Sequence, residues 1–264
     1  MTKPDKKTLQ QAATALREAH DARSMCPPVR DLLPDGTPED AYAVQDLNTE
    51  TWLKEGRRLV GRKIGLTSAA IQKQLGVDQP DYGMLFADMA FADGEEVPMG
   101  RLIQPKVEGE IAFYLGGDLD GDALTSADVM AAIDYVVAAV EIVDSRVKDW
   151  DIRLLDTIAD NASSGVYTLG SQPRKLTDVD LRMCGMVIEH KGEPVSVGAG
   201  AACLGNPLTA ALWLARKMVE VGRPLKKGEL ILSGALGPMV TVTPGAAYEC
   251  RISGLGSIHV NFSG

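Results

Sequence analysis

The chain has few of the residues that build thiol-based or histidine-based sites. Its 264 residues include four cysteines, three histidines and only 5% aromatic residues. The cysteines are scattered and form no C-x-x-C pair, which excludes a disulfide framework and a typical zinc site. The scarcity of histidine leaves any acid–base chemistry to carboxylates, lysine, tyrosine and water.

Long apolar runs and dense basic runs are also absent. No window approaches the roughly 18 uncharged apolar residues that a membrane-spanning helix needs. With 27 basic and 36 acidic side chains the formal net charge is −9, and no basic stretch could follow a phosphate backbone, so nucleic acid is not an expected partner. The polar N-terminal stretch has no apolar signal core, and we therefore expect a cytoplasmic protein.

Common nucleotide and hydrolase motifs are missing as well. The chain contains no G-x-x-x-x-G-K-[ST] loop, no G-x-S-x-G turn and no H-E-x-x-H helix. The glycine pairs 198–200 and 254–256 lack the third glycine of a dinucleotide-binding loop. These absences exclude many enzyme classes by their usual signatures.

Helical patterns fill the first 56 or so residues. Residues 6–24 have an amphipathic pattern, and Thr37-Pro38-Glu39-Asp40 is typical of a helix start, with threonine as N-cap and proline in the first helical position. From Leu59 onward the character changes to short β-like runs. We therefore expect an N-terminal helical region, 1–56, followed by a strand-rich domain, 57–264.

Strand-like runs outnumber helical patterns after residue 57. Two helices are predicted there, at 126–135 and 207–221. The predicted strands are 59–65, 110–115, 136–143, 165–170, 183–190, 229–233, 239–243, 247–252 and 257–262. Because these strands do not alternate regularly with helices, the pattern favours an α+β fold with a curled mixed sheet or roll over a doubly wound sheet.

Three glutamates stand out in this strand-rich part. If residues 105–113 are extended as in a strand, Glu108 and Glu110 alternate with Gly109 and their side chains share a face. Glu141 interrupts an apolar run, and a carboxylate buried there is protonated, paired or bound to a metal. The two alternating acids also fit a solvent-facing strand edge. Three carboxylates without a nearby histidine match an oxygen-preferring divalent cation such as Mg²⁺ or Mn²⁺.

Six sequence blocks together resemble one known family. They are Gly61–Thr67, Gly76–Gly83, Val107–Ile111, Val140–Arg146, Asp160–Ser163 and Ser233–Pro238. The chain resembles the hydratase/decarboxylase family of the fumarylacetoacetate hydrolase superfamily from about residue 28 to its end. The resemblance implies a mixed β-roll with flanking helices, which agrees with the strand-rich pattern. It also implies that residues 57–264 form a metal-binding catalytic β-roll domain.

The resemblance also implies an activity and a set of residues. The activity is metal-dependent hydration of 2-hydroxypenta-2,4-dienoate to 4-hydroxy-2-oxopentanoate, a step of meta-cleavage degradation of aromatic compounds. By resemblance, the metal ligands are Glu108, Glu110 and Glu141, the proton-transfer groups are Lys63 and Asp81, and Asn161 and Ser163 orient the substrate carboxylate. Which of Lys63 and Asp81 moves which proton stays open.

Other activities of the family remain as alternatives. Its decarboxylases act on 2-oxohex-3-enedioate (4-oxalocrotonate) and carry an apolar residue where Pro80-Asp81-Tyr82-Gly83 has the acid, so Asp81 favours a hydratase. A hydratase for a longer or dicarboxylic dienoate is a further alternative, and so is a descendant that has lost activity. Family resemblance also implies a homo-oligomer, a pentamer or decamer, and leaves open a complex with the downstream aldolase.

Overall fold

The computed structural model describes residues 4–68, 72–73 and 77–264. Gly76, the first residue of the second sequence block, lies outside the described residues. Among the described residues, no helix is both long enough and apolar enough to cross a membrane. The α-helices are α1 Lys6–Ala22, α2 Pro38–Lys54, α3 Ser126–Ala132, α4 Leu154–Ala159 and α5 Pro207–Glu220.

Thirteen strands in the described part of the chain form two sheets. They are β1 Leu59–Gly65, β2 Asp81–Phe86, β3 Ala90–Phe91, β4 Glu96–Val97, β5 Lys106–Leu115, β6 Ile133–Val143, β7 Ser164–Leu169, β8 Gly185–His190, β9 Glu193–Ala199, β10 Leu230–Leu232, β11 Val240–Thr241, β12 Ala247–Ile252 and β13 Gly256–Phe262. The larger sheet has the order β2-β1-β10-β5-β6-β7-β3, with β11 also on β5, and the smaller has the order β4-β13-β12-β8-β9. Parallel and antiparallel pairs occur in both, so the predicted mixed α+β architecture is confirmed.

Helix starts follow the sequence signals closely. Thr37 caps α2 as predicted: its hydroxyl accepts from the Asp40 backbone N–H, and the Asp40 carboxylate accepts from the Thr37 backbone N–H. The helix predicted at 126–135 is too long, because it ends at Ala132 and the chain enters β6 at Ile133. Residues 133–135 carry side chains that fit a strand as well as a helix, so their pattern did not mark the boundary.

The predicted strands all occur, two of them (59–65 and 247–252) with the predicted bounds and the others with shifted ends. The largest shift is in β5, which begins at Lys106 rather than at residue 110 and so includes Glu108. Four strands were not predicted: β2, β3, β4 and β9. Two of these contain only two residues, β2 is buried along its whole length without alternation, and β9 is largely exposed at a sheet edge.

The main core lies between the two sheets. Gly109 of β5 has no side chain there because Met186 of β8 and Cys250 of β12 occupy the space, and a Cβ atom would lie 2.9 Å from each. The smaller sheet therefore packs directly against the back of β5. This contact fixes the strand whose other face carries Glu108 and Glu110.

A second core joins the N-terminal helices to the middle of the chain. Buried side chains of α1 and α2, such as Leu16 and Val44, pack with Val147 and with Ile158 of α4. The N-terminal helices thus share one apolar core with residues that come after residue 57 in the sequence. The division into domains at that residue stays a prediction.

Candidate metal centre and active site

The three predicted glutamates lie together on one face of the larger sheet. Glu108 and Glu110 alternate on β5, and Glu108 pairs in register with Glu141 on the antiparallel neighbour β6. Residues that pair directly across strands point to the same face. One carboxylate oxygen of each glutamate lies within 4.8 Å of those of the other two, so the three could hold a single cation.

These carboxylates lack the donors that buried acids need. Oε1 of Glu110 and Oε2 of Glu141 are buried without a hydrogen bond among the described residues, and Glu141 Oε1 lies 3.2 Å from the Lys63 ammonium. Glu110 Oε2 alone accepts a backbone N–H, from Gly234 at 2.8 Å. Buried carboxylates without partners are costly, and a hard divalent cation is the group that this oxygen set fits.

Burial raises the pKa of each glutamate. For Glu108, burial and then repulsion from Glu141 raise the pKa to about 7. Burial and the neighbouring carboxylates raise the pKa of Glu110 well above its usual value, and burial raises that of Glu141 against the attraction of Lys63. Since each carboxylate favours a compensating positive charge, the cluster is electrostatically suited to a cation.

Lys63 supplies one positive charge to the cluster. It lies on β1 with its side chain buried, and its Nζ is 3.2 Å from Glu141 Oε1. The Nζ also donates to the backbone carbonyl of Ala162 at 2.9 Å. Burial opposes the ammonium charge, but Glu141 and the other nearby carboxylates outweigh it and raise the pKa of Lys63. Lys63 is therefore a charged donor at neutral pH.

The carbonyl that Lys63 binds belongs to a strained turn. Asn161, Ala162 and Ser163 have φ angles of 55°, 51° and 52°, in the left-handed region that non-glycine residues rarely adopt. Each such residue costs about 1 kcal/mol or more. Around this turn, Asp160 is bound to the Arg146 side chain and to the Ser145 hydroxyl.

Asp81 is the first residue of β2 and is buried beside Lys63. Its Oδ2 accepts from the Thr157 hydroxyl at 3.0 Å, whereas Oδ1 has no donor among the described residues. Gly65 pairs with Asp81 across β1 and β2, and a Cβ at Gly65 would lie 2.2 Å from Asp81 Oδ1. Burial raises the pKa of Asp81, while Lys63 and the Thr157 hydrogen bond lower it.

A cavity of about 340 Å³ connects these groups. Lys63, Asp81, Glu108 and Ser163 all line it, so the structure brings most of the predicted site residues together. Its remaining wall is largely apolar. The wall includes Ile64, Leu66, Val143, Trp150, Ile152, Ala202, Ala235, Pro238 and Met239.

The two predicted carboxylate-orienting residues have different positions. Ser163 lines the cavity, and its buried hydroxyl has no hydrogen-bond partner among the described residues. Asn161 does not line the cavity. Its amide accepts from the Met84 backbone N–H at 2.6 Å and donates to the Met84 carbonyl at 3.0 Å, so its side chain joins the turn to β2.

Thr157 lines the cavity too, and the sequence analysis did not identify it. It lies on the six-residue helix α4, which was not predicted. Threonine has too many structural uses for its position in a short polar stretch to indicate a site. The contact between Thr157 and Asp81 becomes visible only in the folded structure, where α4 lies next to β2.

Comparison with known proteins identifies the family to which the chain belongs. The family model for the fumarylacetoacetate (FAA) hydrolase C-terminal domain matches residues 31–263. The "TodF product hydratase" of Pseudomonas putida strain F1 is 60% identical over 97% of this chain and 95% of its own length. The 2-keto-4-pentenoate hydratase of Paraburkholderia xenovorans strain LB400 is 56% identical over 96% and 94%.

A solved structure matches almost the whole chain. The 4-oxalocrotonate decarboxylase from Pseudomonas putida G7, complexed with calcium and acetate, has a TM-score of 0.92 at 37% identity, covering 98% of both chains. The same decarboxylase has also been solved complexed with magnesium and adipate. With its fold, its carboxylate cluster and these relatives, the chain belongs to the fumarylacetoacetate hydrolase family.

Proposed function

We propose that the chain is a metal-dependent hydro-lyase that adds water to 2-hydroxypenta-2,4-dienoate and forms 4-hydroxy-2-oxopentanoate. The observation that carries the proposal is one cavity lined by a charged lysine, a buried aspartate and Glu108, which belongs to a cluster of three glutamates. The high identity to named hydratases over nearly the full chain supports the same reaction.

Glu108, Glu110 and Glu141 would hold a divalent cation, Mg²⁺ or Mn²⁺. Glu110 Oε1 and Glu141 Oε2, which are buried without a hydrogen bond among the described residues, support this assignment, as do the calcium and magnesium complexes of the decarboxylase. When bound, the cation supplies Lewis acidity toward the substrate's carboxylate and C2 oxygen. The glutamates contribute negative charge and fix the place of the cation on the sheet.

Lys63 stabilises negative charge on the substrate. Its ammonium is held by Glu141 and by the Ala162 carbonyl at the cavity wall. A preorganised charged donor of this kind stabilises an oxygen that gains negative charge when the C2 hydroxyl loses its proton. Protonation at C5 then gives the enone, 2-oxopent-3-enoate.

Asp81 is suited to the second half of the reaction. Its unpaired Oδ1 can accept a proton from a water molecule as the water oxygen bonds to C4. A proton added at C3 completes 4-hydroxy-2-oxopentanoate, so that one water is gained overall. Ser163 has a free hydroxyl toward the cavity and would bind the substrate carboxylate, with Asn161 supporting its turn.

The charge of the cavity favours a substrate with an uncharged tail. Among its described lining residues Lys63 is the only cation. Arg62 and Arg146 are instead paired with Glu229 and Asp160. A second substrate carboxylate would have no basic partner of its own. This favours the monocarboxylate dienoate over 4-oxalocrotonate.

The direct test is ultraviolet loss of freshly generated 2-hydroxypenta-2,4-dienoate with Mg²⁺, Mn²⁺ or EDTA, with mass identification of the product. We expect metal-dependent decay and a gain of one water. Asp81→Asn should lower kcat by about 10²-fold or more, the usual range for a general base. Asp78→Asn, a change at an exposed acid in the same segment, is the matched control.

Two results would contradict the proposal. Release of carbon dioxide from 2-oxohex-3-enedioate, without hydration of the dienoate, would identify a decarboxylase. Full hydration activity in EDTA-treated protein and in Glu108→Gln would exclude the metal site.

We also propose a pathway, a location and an oligomeric state for the enzyme. Hydration of this dienoate belongs to the meta-cleavage degradation of aromatic compounds, and we place the enzyme in the cytoplasm. We also propose a homo-oligomer, a pentamer or decamer by family resemblance, whose product passes to an aldolase. Sedimentation of the purified protein tests the oligomer.

A further inference from the structure

Asp81 is anchored through one of its two oxygens. Thr157 Oγ1 donates to Asp81 Oδ2 at 3.0 Å, and both side chains are buried at the cavity wall. Asp81 Oδ1 is left without a donor among the described residues. The contact with Thr157 therefore determines which oxygen of the carboxylate is available to a substrate or water.

A single amide ties together the strand and the helix that carry this pair. Gln45 of α2 is buried, and its Nε2 donates to the carbonyls of Tyr82 and Ile158, each at 2.9 Å. Tyr82 follows Asp81 in β2, and Ile158 follows Thr157 in α4. The amide thus links the two backbones one residue beyond the side chains that meet in the cavity.

We propose that Thr157 and Gln45 are positioning residues for Asp81: Thr157 orients its carboxylate directly, and Gln45 holds α4 against β2 so that this contact persists. The inference rests on the proposed function, in which Asp81 transfers protons. It adds that the N-terminal helix α2 determines the geometry of the reaction although it does not line the cavity.

The surroundings of Asp81 explain why an anchor is needed. A Cβ atom at Gly65 would lie 2.2 Å from Asp81 Oδ1 and 3.5 Å from Lys63 Nζ, so both charged groups adjoin the same glycine. A carboxylate released from Thr157 could turn toward the ammonium and pair with it. Paired in that way, its oxygens would no longer be free to accept a proton from water.

Isosteric substitutions test the direct contact. We expect Thr157→Val to lower kcat by about 10- to 100-fold, as small displacements of reacting groups do, with KM and Mg²⁺ binding within about 3-fold of wild type. Thr157→Ser keeps the hydroxyl and should recover kcat to within about 3-fold. Thr49→Val is the matched control, because Thr49 is also buried but its hydroxyl has no hydrogen-bond partner in the part of the chain that the structure describes.

Gln45→Met tests the bridge while keeping the side-chain volume. Because it acts through the backbone, we expect a kcat about 10-fold below wild type and an unchanged KM. If Thr157→Val does not fold, the kcat of Gln45→Met still tests whether Asp81 is held in position in this way. Circular dichroism and calorimetric Mg²⁺ titration of each variant show whether the fold and the metal site are intact.

Some outcomes overturn this inference while the proposed function stands. If wild type is active, a folded Thr157→Val variant with a normal kcat would overturn it. A Thr157→Val variant in which only KM changes would also overturn it, as would a Thr157→Ser variant whose kcat is no higher than that of Thr157→Val. A wild type without metal-dependent hydration overturns the proposed function itself. The two failures are therefore distinguished by the wild-type assay.

Discussion

Glu108 and Glu141 face each other directly across the antiparallel strands β5 and β6. Like charges in directly opposite positions destabilise a sheet, by up to about 1 kcal/mol for a typical pair. Here Glu110 adds a third carboxylate within 4.8 Å, and one lysine balances only part of the charge. The strand pairing that creates the site therefore destabilises the protein when no cation is bound.

Metal removal and Glu108→Gln should consequently act in opposite directions on stability. We expect EDTA to lower the melting temperature of wild type and added Mg²⁺ to restore it, since a ligand that binds only the folded state stabilises it. The metal-free Glu108→Gln protein should be more stable than metal-free wild type, by about 1 kcal/mol, and should bind Mg²⁺ much more weakly. Calorimetric melting of the two proteins with and without Mg²⁺ measures these differences. A wild-type melting temperature that EDTA does not change would contradict the expectation.

Lys63→Met should separate metal binding from turnover. The substitution removes the ammonium beside Glu141 but none of the three carboxylates. We expect kcat to fall by about 10²- to 10³-fold, the effect of losing a preorganised donor, while Mg²⁺ affinity is equal or higher because a repelling charge is gone. Titration calorimetry and the hydration assay measure the two quantities, with exposed Lys175→Met as the control. Loss of Mg²⁺ binding with normal turnover would refute the assignment.

Gly65→Ala should reduce turnover through Asp81. The new methyl group would lie 2.2 Å from Asp81 Oδ1, far inside contact distance, and the carboxylate would have to move. We expect kcat to fall by about 10²-fold. Gly100→Ala is the control, since no described residue other than its two chain neighbours lies within 4 Å of the added Cβ. An active Gly65→Ala enzyme would mean that Asp81 has another functional position.

His20 should make the protein less stable in mild acid. Burial, and then the nearby positive charge of Arg146, lower the pKa of His20 from 6.5 to about 3. Its contribution to the free energy of unfolding is complete above pH 6.5 and is lost progressively as the pH falls from 6.5 to 3, because the unfolded chain binds the proton first.

The matching experiment compares two histidines. Between pH 6.5 and 5 we expect wild type to lose about 1 to 2 kcal/mol more than His20→Gln in urea unfolding. His259→Gln is the control, because the His259 side chain is 53% exposed. Equal pH dependence for wild type and His20→Gln would show that the pKa of His20 is the same in the folded and the unfolded protein.

The three glutamates could be predicted because local rules apply to them. Alternation along β5 places Glu108 and Glu110 on one face, and Glu141 stands out because an acid inside an apolar run needs a partner. The helix start at Thr37 could be predicted for the same reason, because its signal lies in residues 37–40. Both predictions depend only on neighbours within a few residues.

The rest of the site depends on contacts that are remote in sequence. Asp81 lies in a strand that is buried on both faces and therefore shows no alternation. Its contact with Thr157 spans 76 residues, and the pairing of Arg146 with Asp160 gives a structural use to an arginine that could equally have bound a substrate carboxylate. Family resemblance indicated Asp81, but neither resemblance nor pattern indicated Thr157.

The shared second core also has a consequence for how the chain is made. Gln45 and the apolar faces of α1 and α2 leave the ribosome early, but the Ile158 carbonyl that Gln45 binds is 113 residues further on. At a synthesis rate of 5–20 residues per second this is a delay of about 6 to 20 seconds. During that interval the N-terminal helices expose the apolar surface that later supports the active site, and exposed apolar surface favours aggregation of a nascent chain.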